Sequence, residues 1–504
     1  MTQTQAKADS QLGDGGEPSG ATEVLAHFVA GAHWTGGGTQ VSPVLNPATG
    51  CAIAHVRYGN AADVEHAVKA ARTALTAWGR TSPKERADVL LKCATVVESH
   101  GDELARLESA NTGKPMQFAR GDVAGTIDTF RFMAGAARAQ QSLASGDYVA
   151  GCTSMILREP VGVVAAITPW NFPLLTVAQK IGPILAAGNT CVLKPSEHTP
   201  LTAVRLAELL SDHIPAGVLN IVNGDGPGAG AALATHPDIA LVSVTGSVRS
   251  GQAVARAAAD SLKRVHLELG GKAPALVFAD ADLDAVADGV AAAAFGNTGQ
   301  DCGAACRVLV EESVAAELTE LLVHRAEALV VGDPVDGDHI EMGPLITEAQ
   351  YGRVLGFLDR AFAEGVEAAA GGQRLDRAGF FISPTVLVNI PGDAECVREE
   401  IFGPVVTVQT FTDEKAMVEA ANDTAYGLAA SVWSEDSRRT LRLPALLDFG
   451  TVWVNDHLVM PAEMPWGGFK SSGYGRDMSL YALDDYSRTK HVMANHTRPT
   501  ERTS

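Results

Sequence analysis

Over residues 161–267 the chain repeats one pattern: short apolar runs, VGVVAAI, TCVLK, VLNIV, ALVSV and VHLEL, separated by helix-length segments such as LTAVRLAELLSDH. Strands buried on both faces read as continuous apolar runs, and parallel neighbours require a long crossover between them. The alternation therefore predicts a parallel sheet with crossover helices. A second series begins at PALVF, passes through a helix-like stretch over residues 283–295, and continues with CRVLV, a helix-like stretch over residues 314–331, VVTVQTF, SVWS and GTVWV. It predicts a second α/β unit. Upstream, Val64, Val68, Ala71, Leu75 and Trp78 recur at helical spacing, and Ser82-Pro83-Lys84-Glu85 reads as a capping box with proline at the first helical position.

At 504 residues the chain exceeds what one hydrophobic core usually organises. Two segments stand outside the alternation, residues 142–159 and 483–495. Both have strand-like character and could pair as an excursion from the body. Residues 1–22 are polar and have the composition of a flexible tail, with neither the apolar core of a signal peptide nor the arginine-rich character of a transit peptide. The apolar stretches are broken before membrane-spanning length, as His236 and Asp238 break residues 231–244. A cytoplasmic location without membrane partners is expected. The formal charge of -20, with no basic stripe, repels phosphate backbones and argues against nucleic acid as a partner. Seven cysteines, odd in number and scattered, argue against a disulfide framework. No metal site is expected either, because Cys302 and Cys306 lack a second pair of ligand spacing.

Chemistry-bearing residues cluster in a few phrases. In NTGQDCGAACR, Cys302 follows a Gly-Gln-Asp turn after a helix-like run, where a thiol can be exposed. Its free pKa of about 8.5 disfavours the thiolate, so a nucleophilic role requires a helix dipole, donors or a nearby base. Cys306, about one turn further on if that segment is helical, reads as packing. In VHLELGGK, Glu268 ends an apolar strand and precedes two glycines that keep the backbone thin beside it. In TPWNFP, Asn171 lies in a loop fixed by Pro169 and Pro173, and its amide could donate to a developing oxyanion, with turn-capping the bland alternative.

TPWNFP, KPSEHTP, TGS, LELGGK, GQDC and EEIFGPV occur here in the order seen in the aldehyde dehydrogenase superfamily, and the resemblance extends over about residues 44–492. It implies a Rossmann-like NAD-binding domain (residues 23–141 and 160–270), an α/β catalytic domain (271–470) and a small β oligomerisation excursion (142–159 and 483–495). It implies a homodimer or homotetramer built through that excursion. Cys302 would be the nucleophile, Glu268 the general base, and Asn171 with the Cys302 backbone N–H the oxyanion donors. Glu268 places the chain with the hydrolytic rather than the acylating branch. A G-x-G-x-x-G fingerprint is absent: Gly224-Asp225-Gly226-Pro227-Gly228 has other spacing. Instead Thr245-Gly246-Ser247 resembles the family's pyrophosphate loop, with Val244 replacing the usual phenylalanine. Lys194 and Glu197 resemble the pair on the adenosine ribose, Glu197 favouring NAD over NADP by repelling a 2′-phosphate. Glu400 and Phe402 resemble the residues at the nicotinamide ribose and ring. Ile167, Trp170, Gly226 and Leu269 complete the expected NAD contacts.

The C-terminal phrase SSGYGRDMSLYALDDY is similar to aminobutyraldehyde dehydrogenases, with betaine-aldehyde dehydrogenases nearby. A cationic aldehyde, 4-aminobutyraldehyde first, is the expected substrate. A buried ammonium needs a partner, and Asp128, Glu463 and the face of Trp453 are the candidates. Two alternatives stand beside this reading: a betaine-aldehyde or succinate-semialdehyde dehydrogenase, and a homologue that binds NAD without turnover.

Overall fold

The computed structural model describes residues 24–497; the expected tail over residues 1–22 lies outside them. Four helices, Ala61–Trp78, Pro83–Ser99, Gly101–Thr112 and Met116–Ala139, precede the first sheet strand of the alternation. The second begins as its sequence dictates: the Ser82 hydroxyl accepts from the Glu85 N–H, the Glu85 carboxylate accepts from the Ser82 N–H at 2.7 Å, and Pro83 occupies the first turn.

All five apolar runs of the first series become parallel strands. They lie in the order Arg264–Glu268, Ile239–Thr245, Val163–Ile167, Thr190–Lys194, Leu219–Ile221, within an eight-stranded sheet. The chain starts in the middle at Val163–Ile167, moves outward twice, then crosses to the other side for Ile239–Thr245. Strand order thus reverses between Val163–Ile167 and Ile239–Thr245, and in open α/β sheets ligands bind beyond the carboxyl ends at such a point. The second series forms a seven-stranded sheet, parallel except for the edge strand Glu367–Ala370. The excursion is a three-stranded antiparallel sheet in which Cys152–Pro160 pairs along its length with Ser487–Asn495. Residues 483–486 stay with the body: Leu483 and Tyr486 are buried in the core of the first unit.

Short strands before Ala61 were not anticipated. His27–Val29 and Ala32–Trp34 extend the first sheet antiparallel, and Val41–Asn46 pairs with Cys51–Arg57. None of the described helices is long and apolar enough to cross a membrane.

Candidate active site

Four expected positions sit at carboxyl ends of adjacent strands: Ile167, Lys194, Thr245 and Glu268. The sheet therefore delivers them to one edge, around the reversal point. Beyond Thr245, Ser247 caps the Val248–Ala259 helix, accepting from the Ser250 N–H at 3.2 Å, so the helix N-terminus opens at Gly246. At Gly226 a side-chain carbon would meet nothing within 4 Å, and at Gly246 its nearest neighbour would be Val244 at 3.9 Å. The hydroxyls of Thr168 and Thr245 are buried without a partner among the described residues. Open glycines, spare hydroxyls and a helix N-terminus suit a pyrophosphate. Lys194 is buried and donates to the carbonyls of Pro195 at 2.7 Å and Gly224 at 2.8 Å; its Nζ stands 3.6 Å from the half-buried Glu197. Val244 is core. The Leu269 side chain is committed to packing under Gly251, leaving only its backbone to face a ligand.

The two glycines after Glu268 decide how closely the second unit approaches. A side-chain carbon at Gly271 would stand 2.1 Å from the Cys302 carbonyl oxygen, and one at Gly270 would stand 2.4 Å from a Glu400 carboxylate oxygen. The Gly271 N–H donates to Glu400 at 2.9 Å. Phe402 holds a left-handed backbone, φ 60°, and meets Trp170 edge-on at 5.2 Å between ring centres. Burial pushes the Glu400 carboxyl up to about 7.

Cys302 is half-buried in a stretch of turns, not on a helix. Cys306 accordingly is not one helical turn away: it directly precedes the strand Arg307–Glu311. Burial, then the carboxylates of Asp301, Glu400 and Glu268, hold the Cys302 thiol well above its usual range. The Asn171 amide donates to the Gln300 carbonyl at 2.9 Å, and Asn297 donates to the carbonyls of Asn171 and Gln300 at 3.0 and 3.2 Å. Asn297 and Thr298 are themselves left-handed. This clamp ties the amide to the segment two residues before Cys302, with the second amide hydrogen left over. On the other side, His457 spans from the Ser431 hydroxyl to the Gly303 carbonyl, each at 2.8 Å. Burial lowers its imidazole to about 4, so it is neutral and acts as a strut.

Glu268 is buried with both carboxylate oxygens unpartnered, and burial, then Asp477, raises its pKa well above normal. An unhydrogen-bonded buried carboxyl close to a thiol is where proton transfer is expected.

Trp453 contributes to an aromatic wall with Trp466, ring centres 6.1 Å apart, and both belong to an apolar cluster that includes Phe132, Met478 and Cys302. Asp128 lies one helical turn before Phe132 and is exposed; Glu463 is exposed beside buried Ala462. The expectation of a desolvated anion is therefore corrected: both carboxylates are solvated, because the helix and loop turn their polar faces outward. Sequence reasoning also missed several buried charges, among them Lys114, Lys180 and Asp477. Lys180 had a legible signal, a lone lysine in the apolar helix Pro173–Ala186.

Fold and site together define a doubly wound α/β protein that brings a thiol, a carboxyl and an amide donor together beyond the carboxyl edge of its first sheet. The chain belongs to the aldehyde dehydrogenase family, whose model matches residues 34–492, and is an enzyme that oxidises aldehydes. It is 40% identical over 467 residues to a betaine aldehyde dehydrogenase of Bacillus subtilis, covering 91% of this chain and 95% of that protein. It is 43% identical over 462 residues to retinal dehydrogenase 2 of Homo sapiens, covering 90% and 88%. Among solved structures, the NAD+ complex of an aldehyde dehydrogenase from Bacillus cereus superposes with a TM-score of 0.92 at 39% identity, covering 94% of this chain and 97% of that one.

Proposed function

We propose that this chain oxidises a cationic aldehyde, 4-aminobutyraldehyde first, to its carboxylic acid with NAD. The observation that carries the chemistry is an unpartnered buried carboxyl, Glu268, within electrostatic range of the Cys302 thiol. NAD, when bound, supplies the hydride acceptor. Lys194 and Glu197 would hold its adenosine ribose, Thr245-Gly246-Ser247 its phosphates, and Glu400 and Phe402 its nicotinamide end. Cys302 loses its proton to solvent and attacks the aldehyde carbon as the thiolate, and the Asn171 amide with the Cys302 N–H takes the negative charge on oxygen. Hydride departure leaves a thioester on Cys302. Glu268 then removes a proton from water, which releases the acid.

A positive substrate is supported by the aromatic wall and by carboxylates at its rim. Asp128 and Glu463, being solvated, act on encounter rather than as buried partners. A betaine-aldehyde reading is favoured by one observation of its own: a quaternary ammonium donates no hydrogen bonds, and the Trp453 and Trp466 faces can bind it. Relatives named for betaine aldehyde and for retinal are about equally similar, so identity does not choose between them. The excursion sheet is proposed to join subunits into a dimer or tetramer.

The test is an aldehyde panel read as NADH absorbance. 4-Aminobutyraldehyde is expected to exceed an uncharged aldehyde of equal length in kcat/KM; a preference for succinate semialdehyde would reject the cationic assignment. In the same assay NAD is expected to outperform NADP, and Glu197→Gln to narrow the gap.

A further inference from the structure

Asp301 directly precedes Cys302 and, like it, is half-buried. Its Oδ1 accepts the Gly303 N–H at 2.8 Å, and its carbonyl accepts the Ala304 N–H at 3.2 Å, so the carboxylate is fixed on the turn that carries the thiol. Two further contacts pin that turn. His457 is hydrogen-bonded to the Gly303 carbonyl, and a side-chain carbon at Gly303 would stand 2.9 Å from both Leu458 and Trp466. Trp466 and Trp453 in turn share an apolar cluster with Cys302. Thiol, carboxylate and aromatic wall are therefore parts of one rigid assembly.

Charge around the thiol is unbalanced. Asp301, Glu400 and Glu268 all oppose its ionisation. Among the described residues no lysine, arginine or histidine forms an ion pair with Asp301. Lys114, which acts on it from a distance, is already hydrogen-bonded to Asp122 and stands 3.6 Å from Glu108. Lys272 acts on Glu400. Burial raises the Asp301 carboxyl above its usual range, and the Gly303 N–H works against that rise. A desolvated carboxylate without a cation is stabilised by one that arrives with a ligand.

The aldehyde carbon of a substrate must lie against the Cys302 sulfur, one residue from Asp301. In 4-aminobutyraldehyde four single bonds of about 1.5 Å keep the nitrogen within roughly 5 Å of that carbon. A carboxylate rewards N–H donors, because charge-assisted hydrogen bonds are short and strong, whereas a quaternary ammonium offers none. The tryptophan faces attract both kinds of cation and do not tell them apart.

We propose that Asp301 is the specificity-determining carboxylate of this enzyme: it takes the N–H donors of a primary ammonium on a short aldehyde and so selects an ω-amino aldehyde over a quaternary one. The proposal rests on the reading of Cys302 as the nucleophile and of the substrate as a cation. Asp301 supplies the inward anion that the solvated Asp128 and Glu463 do not. It also ties binding to reactivity. An ammonium held there offsets the largest of the three charges that oppose the thiolate, so the substrate itself favours the attacking form.

The test compares 4-aminobutyraldehyde with pentanal, in which a methyl group replaces the ammonium. Oxidation of either by the unmodified enzyme, read as NADH absorbance, establishes the catalytic reading; failure with both would reject that reading and this proposal with it. 4-Aminobutyraldehyde is expected to exceed pentanal in kcat/KM. In Asp301→Asn, which keeps an oxygen for the Gly303 N–H, the ratio of the two is expected to fall at least about tenfold. An unchanged ratio would overturn the role of Asp301. Inhibition tests the same point on the unmodified protein, whether or not the variant folds: butylammonium should compete with the aldehyde at least about tenfold more tightly than 1-butanol or butyltrimethylammonium. Equal inhibition by the two cations would move recognition to the tryptophan faces and sink the proposal.

Discussion

As the proposed nucleophile Cys302 would act as a thiolate, yet burial and three carboxylates oppose its ionisation. Only a backbone hydrogen bond is seen to work the other way, so the thiol stays largely protonated near neutrality and the charged fraction grows with pH. The NADH burst rate is expected to rise steadily with pH between about 7 and 9. Cys302→Ala should abolish the burst but keep NAD binding, measured by fluorescence titration; a burst in that variant would move the nucleophile elsewhere. Glu400 offers a second pH signature. Its carboxyl, raised to about 7, is protonated below that pH and, in the proposed contact with the cofactor, would then accept ribose hydroxyls poorly. The KM for NAD should therefore fall as pH rises through about 7, and Glu400→Gln should flatten that dependence. A KM that climbs with pH in the unmodified enzyme would show that Glu400 does not face the ribose.

At the scale of elements, buried charge holds the catalytic loop as firmly as strand pairing holds the sheet. Lys114, on the turn after the Gly101–Thr112 helix, sits between Glu108 and Asp122, 3.6 Å from Glu108 Oε1 and hydrogen-bonded to Asp122. Its ammonium also lies 4.4 Å from the centre of Phe172, next to Asn171, and Glu108 accepts from Leu174 N–H at 3.2 Å. Lys114→Met leaves two buried carboxyls without a cation and is expected to destabilise by about 3–5 kcal/mol, read as a drop in Tm and in urea midpoint. An unchanged midpoint would mean that the carboxyls neutralise each other by sharing a proton. This trio shows where sequence reading stops. Apolar runs and the Ser82 capping box announced strands and helices because periodicity is local. The Gly270-Gly271 pair announced a thin backbone, and the approach of Cys302 and Glu400 explains it. Lys114, Glu108 and Asp122 read as ordinary surface charges, since burial depends on which helices meet. Strands such as Cys51–Arg57 were missed because their burial follows no clean alternation.

For the whole molecule the open question is what covers the excursion. Among the described residues, Ser487–Asn495 is a nine-residue edge strand paired on one side only, with Cys152–Pro160. A long open edge is a template for another chain. Met155 and Leu157 are 37% and 43% exposed, and Val492, paired opposite Met155, is half-buried, so this face of the sheet carries an apolar patch beside Lys490, which is paired opposite Leu157. Against association stands the charge of -20 on each copy, a repulsion that salt screens. The balance favours assembly because an apolar face and an open strand edge act at contact, whereas the opposing charges are dispersed in water. Size-exclusion chromatography with light scattering should therefore give at least twice the chain mass, with the larger species gaining ground as salt is raised. The double substitution Met155→Glu, Leu157→Glu adds charge to the contact itself and should lower the mass by a whole-number factor, leaving NAD binding intact because the proposed cofactor residues stand on the first sheet's carboxyl edge and not on the excursion. A mass equal to one chain in the unmodified protein, or no change on substitution, would place the subunit contact elsewhere.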